Sequence, residues 1–213
     1  MISFSGLILI IATMYCGIRL SLFYNETFSL YYLCLAISVL SVTIGLLGVE
    51  IKSFLFDYPA QLGMDWSRII SVTFALSGLA VLLWMEKPVF ARFPIIFCAF
   101  PLLIIAVFPF IINSPTLKEL IIGMLQGGAI SIGLMLYLLK TNQSSDSYYV
   151  VAGISLLLIS LLSHLILVDM IIFPEWIIKV WLSAGIILIN YGLVKLVNQG
   201  NSELQHTTAS SGI

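Results

Sequence analysis

Residues Phe28 to Val49 read FSLYYLCLAISVLSVTIGLLGV, twenty-two consecutive positions without a charge. At 1.5 Å rise per residue a helix of that length reaches about 33 Å, enough to cross a hydrocarbon core of roughly 30 Å. No water is present there to bond an open backbone, and a helix pairs its N–H and C=O groups within one segment. The same ruler finds six further candidate spans: Ile2–Phe23, Trp66–Met85, Phe93–Ile112, Leu117–Leu139, Tyr148–Ile172 and Trp176–Val197. The expected fold is therefore all-α, a polytopic bundle of seven transmembrane helices.

Composition agrees. Of 213 residues, 61% are hydrophobic and 9% charged, with a mean hydropathy of +1.13. Soluble domains hold about one quarter charged residues and just under half apolar ones. A water-soluble fold of this size has too little interior to hide so much apolar surface, so the lipid bilayer is the expected partner. A formal charge of −1 with no basic patch excludes nucleic acid, whose phosphates need concentrated Lys and Arg. The first apolar run lacks a basic n-region and a cleavage motif, and is expected to be a retained helix rather than a signal peptide.

The longest connection, 50–65, leaves no room for a soluble domain. Residues 1–198 are read as one transmembrane domain and 199–213 as a disordered polar tail. Comparing the first three spans with the last three reveals no internal repeat, so a duplicated transporter is not supported. Tyr31, Tyr32, Trp66, Trp84, Tyr148, Tyr149 and Trp176 fall near expected span ends, where amphipathic rings favour the headgroup zone. With the N-terminus outside, the inner side carries Arg19, Lys87, Arg92, Lys140 and Lys195, and the outer side Lys52, Arg68, Lys118 and Lys179. That bias, with Asp169 and Glu175 in the last connection, leans to N-out/C-in, and a bacterial inner membrane is the simplest setting for so compact a chain.

Between lipid-bathed helices, association rests on close approach of small residues and on hydrogen bonds. Ser38, Ser41, Gly45 and Gly48 step by three and four along the second span. Gly123, Gly127 and Ser131 form a small-xxx-small run in the fifth, with Gly128 and Gly133 nearby. Both stripes are expected to pack against other helices, in this chain or in other membrane subunits. The fourth span carries Pro94, Pro101 and Pro109. Pro101 and Pro109 each remove an internal hydrogen bond and are the candidate hinge.

Ionisable and amide groups at membrane depth are the candidate functional residues, because leaving them unpaired against lipid is costly. His164 heads them, near the middle of the sixth span beside Ser160 and Ser163, and histidine titrates near neutral pH. In the seventh span Lys179, Ser183 and Asn190 share one face, with Tyr191 adjoining, and Lys179 is placed to snorkel. Gln126 is a further buried amide. The candidate ligand or ion path is thus His164, Ser160, Ser163, Gln126, Asn190, Tyr191 and Lys179. Cys16, Cys34 and Cys98 form no metal or redox spacing, so no metal site is expected and no cofactor is assigned. HExxH, GxSxG and P-loop motifs are missing. The readings in competition are a module that binds or senses a small ligand or serves as a membrane subunit, a small transporter or channel, and, third, an intramembrane lipid-modifying enzyme using His164 as base.

Overall fold

A computed structural model describes residues 4–55, 60–87, 89–111, 114–141, 145–167 and 174–210. Among them the chain is helical throughout, with no strand. Helix α1 covers Phe4–Thr27, α2 Leu30–Leu55 and α3 Ala60–Glu86. A crossing of two 3-10 segments, Phe90–Arg92 and Ile95–Leu102, runs into α4, Leu103–Ile111. Helices α5, α6 and α7 cover Pro115–Thr141, Ser147–Leu167 and Glu175–Ser210. Six of these, all but α4, are long and apolar enough to cross a membrane, and Ile95–Phe110 is a shorter apolar segment. The chain is an all-helical bundle suited to a lipid bilayer.

Helices α1, α2, α3, α5, α6 and α7 form a closed ring in which each packs on the next and α7 returns to α1. Ion pairs near helix ends mark which ends of α3 and α5, and of α6 and α7, lie level with each other. Lys118 binds Asp65 at 2.7 Å and Arg68 binds Glu119 at 3.1 Å, so α3 and α5 begin on one side, where α1 also begins. Lys140 binds Glu86 and Lys195 binds Asp146 on the other. We call these the N-side and the C-side. Because α3 ends on the C-side and α5 starts on the N-side, residues 87–114 must cross between them.

That crossing is short, and its conformation compensates. A 3-10 helix rises about 2.0 Å per residue against 1.5 Å for an α-helix. Eight 3-10 residues followed by nine α residues therefore reach about 30 Å, where an all-α segment would reach about 26 Å. Pro101, inside the 3-10 segment, has no N–H to give to an α-type bond, and Pro109 repeats the loss inside α4. The crossing lies outside the ring, chiefly against α3. Phe108 anchors it, fully buried with Ile69 and Ile122 and edge-on to Trp66 at 5.1 Å. The indole N–H of Trp84 donates to the Phe93 carbonyl at 2.9 Å.

Toward the C-side, all six ring helices and Cys98 share one apolar core, including Leu20, Tyr31, Val81, Tyr137, Val150 and Leu193. Tyr31 of α2 and Tyr137 of α5 meet hydroxyl to hydroxyl at 2.7 Å inside it. Tyr31 lies at the start of α2, as expected, but turns inward: a buried phenol needs a hydrogen-bond partner, and α5 supplies one. Trp66 likewise packs on Phe108. Hydroxyls elsewhere fold back on their own helix, as Thr13, Thr43, Thr73 and Ser183 do onto carbonyls one turn earlier, which satisfies them without a partner helix.

Helices α6 and α7 come closest. A Cβ built on Gly153 would lie 2.6 Å from the Gly185 carbonyl oxygen, and one on Gly192 would lie 2.9 Å from the Val150 nitrogen. Only glycine allows backbones this near. Helix α7 then continues to Ser210, beyond the apolar stretch Trp176–Gln199, where the sequence reading expects a disordered polar tail from residue 199. Once a span has nucleated a helix, each further residue adds a hydrogen bond at small entropic cost. Residues 211–213 lie outside the described residues.

Candidate functional site

On the N-side, α3, α5 and α6 bound an open cleft of about 290 Å³, lined by Arg68, Thr116, Glu119, Leu120, Gly123, Gln126, Leu161 and His164. Helical periodicity gathers the α5 members. Thr116, Glu119, Leu120, Gly123 and Gln126 step by three, one, three and three, and so follow one face. Leu161 and His164 do the same from α6.

Arg68 organises the polar part. Its Nη1 donates to both carboxylate oxygens of Glu119, at 3.1 and 3.3 Å, and its Nη2 reaches Gln126 Oε1 at 3.5 Å. The guanidinium thus spans two turns of α5, with Glu119 at the mouth and Gln126 deeper. The Glu119 side chain is 54% exposed and that of Arg68 21%. Beside them Lys118 and Asp65 are mostly buried and committed to each other. Beside Gly123, a Cβ would meet nothing within 4 Å, and at Gly127 only Leu161 at 3.9 Å. That open space is part of the cleft.

The expected path residues separate. His164 and Gln126 line the same cleft. His164, expected near mid-span, is exposed and level with the first turns of α5. Ser160 is one turn away but faces α7, where its hydroxyl donates to the Ile178 carbonyl at 3.3 Å. Ser163 is buried. Asn190 is buried nearer the C-side, its Oδ1 without a hydrogen-bond partner. Tyr191 is exposed, packs edge-on against Tyr149 at 5.0 Å and flanks the Lys195 ammonium at 5.2 Å. Lys179 lies in the first turns of α7 on the N-side. One face of α7 carries Ser183 and Asn190, but depth separates Asn190 from His164.

Arg68 and Glu119, which the sequence reading leaves as ordinary interfacial markers, and Thr116, which it does not single out, also line the cleft. The available signal was the pairing of signs: Asp65 and Arg68 enter α3 where Lys118 and Glu119 enter α5. The small-residue stripes divide too. Ser38 Oγ meets Ser71 Oγ at 3.0 Å and Gly45 abuts the Ser67 side chain, whereas Gly48 has open space. Ser41 bonds its own helix, to the Ile37 carbonyl. On α5, Gly123 and Gly128 touch nothing and Ser131 is exposed. The closest approach instead uses Gly153, Gly185 and Gly192, where the spacing of seven between Gly185 and Gly192 was legible. Among the described residues no group of three or more His, Cys, Asp or Glu is placed to hold a metal ion. Comparison with known protein families, with curated proteins and with solved structures finds no match.

Proposed function

We propose that the chain is a membrane-embedded binding or sensing module that takes a small ligand into the N-side cleft between α3, α5 and α6. One observation carries the reading: five polar side chains from three helices, Arg68, Thr116, Glu119, Gln126 and His164, converge on a cavity whose remaining wall, Leu120, Gly123 and Leu161, is apolar. Binding pockets combine these features, an apolar lining with a few convergent polar groups that orient the guest. The orientation is read as N-out/C-in on the five basic residues of the C-side against four on the N-side, and a bacterial inner membrane is proposed on the compactness of the chain.

The test is mild-detergent purification followed by native mass spectrometry, with Gly123→Leu as the filled-cleft control. A retained small molecule that Gly123→Leu expels supports the reading. Equal retention by both proteins defeats it.

A second reading, as a subunit of a larger membrane assembly, is favoured by the α5 face of Gly128 and Ser131: among the described residues nothing stands within 4 Å of a Cβ built on Gly128, and Ser131 is exposed. Co-purifying membrane proteins lost on Gly128→Leu would support it. Transport is the weaker alternative, because Gln126 and His164 are separated in depth from Asn190, and the Tyr31–Tyr137 pair lies in packed core on the C-side. Proteoliposome flux abolished by His164→Ala would revive it.

A further inference from the structure

We infer that the N-side cleft selects a zwitterionic single-chain amphiphile, its cationic group on Glu119, its anionic group on Arg68 and His164, and its chain along Leu120, Gly123 and Leu161. The inference rests on the binding reading above and adds the chemical class of the ligand.

Charge decides the headgroup. Lys118 and Asp65 neutralise each other at 2.7 Å with side chains only 15% and 8% exposed, so neither is free to meet a guest. What faces the cleft is one cation and one anion side by side, Arg68 and Glu119. A simple anion would have to draw Arg68 away from Glu119 and would then sit against that carboxylate. A simple cation would meet the reverse problem at Arg68. A zwitterion inserted between them replaces the one bridge by two and leaves no charge unpaired, while the imidazole of His164 on α6 and the amide of Gln126 on α5 offer further hydrogen bonds.

Depth and shape decide the rest. The cleft lies at the N-side ends of three helices, beside two ion pairs, which is where headgroups reside in a bilayer. Leu120 on its lining, and Met124 and Leu162 on α5 and α6 beside it, are exposed, so the flank of the cleft below Glu119 is apolar and suited to face lipid. A volume of about 290 Å³ is at the small end of ligand pockets. It holds a headgroup and the first carbons of one chain, with the remainder extending into the bilayer. The open space beside Gly123 is where that chain passes.

The experiment titrates the full chain in maltoside micelles, read by native mass spectrometry, with four probes: a lysophosphatidylethanolamine, a lysophosphatidic acid of the same chain, a long-chain primary amine, and water-soluble glycerophosphoethanolamine. The expected result is at least tenfold tighter binding of the zwitterionic lysolipid than of the other three. Gly123→Leu, which has room for its side chain, is expected to lose that binding at least tenfold with an unchanged circular-dichroism melt. Glu119→Gln, at an exposed position, is expected to shift the preference toward the anionic lysolipid. Equal or tighter binding of the anionic or cationic amphiphile, still sensitive to Gly123→Leu, overturns the zwitterion and leaves the binding cleft standing. Equal binding of glycerophosphoethanolamine overturns the role of the chain. Binding insensitive to Gly123→Leu removes the cleft itself and both readings with it.

Discussion

Replacing Gly153 by Ala should destabilise the bundle, although the same replacement at Gly128 should not. Both glycines lie inside long helices, so both gain the same propensity term, about 1 kcal/mol in favour of Ala. Their surroundings differ. The new methyl at residue 153 would lie 2.6 Å from the Gly185 carbonyl oxygen and 2.8 Å from the Ile189 nitrogen, both backbone atoms of α7. Ordinary contact begins near 3.5 Å, so α6 and α7 must part by roughly 1 Å or tilt. Overpacking of this kind costs about 1–3 kcal/mol, and no flexible side chain is available to yield. At residue 128 nothing stands within 4 Å. Because the propensity term cancels, the difference between the two variants should be about 1–3 kcal/mol. Titration with a denaturing detergent in mixed micelles, followed by circular dichroism, measures it. Equal stability of the two variants would refute the close approach of α6 to α7, and with it the way the ring closes.

Three further outcomes follow from the same contacts. Asp65→Asn leaves the Lys118 ammonium buried without its partner and should cost about 3–5 kcal/mol, whereas Glu86→Gln, in a pair 42% and 31% exposed, should cost no more than about 1 kcal/mol. Similar losses in the same unfolding assay would contradict the different burial of the two pairs. Tyr137→Phe orphans the buried Tyr31 hydroxyl and should cost about 1–3 kcal/mol, yet the Tyr31→Phe/Tyr137→Phe double variant should recover most of that loss, and strictly additive losses would argue against the bond. Pro101→Ala restores a backbone donor that lets Ile95–Leu102 wind as α-helix, shortening the crossing by about 4 Å. Cys98, buried here, should then react faster with a lipid-soluble maleimide, as read by peptide mass. Unchanged labelling would mean that Pro101 does not hold the 3-10 segment.

Much of the fold was legible along the chain because lipid imposes a one-dimensional rule. A span needs length and the near-absence of charge, and both are local, so Phe28–Val49 and its five long counterparts could be marked from residue order alone. The crossing near 95–111 was marked for the same reason, and its prolines signalled departure from a plain α-helix. What no local rule carries is which face of each helix meets which neighbour. Small residues at helical spacing occur on several spans, and the stripe on α5 looked as suitable for packing as any. Gly153 and Gly185 meet because ring closure brings α6 and α7 together, while α5 turns Gly123 toward open space.

The candidate site shows the division most clearly. Residue order by itself determined that the chain spans a bilayer, that His164 and Gln126 are polar groups within apolar segments, and that no established catalytic or metal-binding motif is present. Only the tertiary structure decided that His164 and Gln126 share a cleft, that Arg68 and Glu119 belong to it, and that Asn190 and Tyr191 do not. The physical reason is depth. Position on a helical wheel follows from sequence spacing, but the relative height of two helices follows from where their ends are pinned. Here ion pairs between residues 51 and 54 positions apart, Arg68 with Glu119 and Glu86 with Lys140, mark the two levels at which α3 and α5 meet.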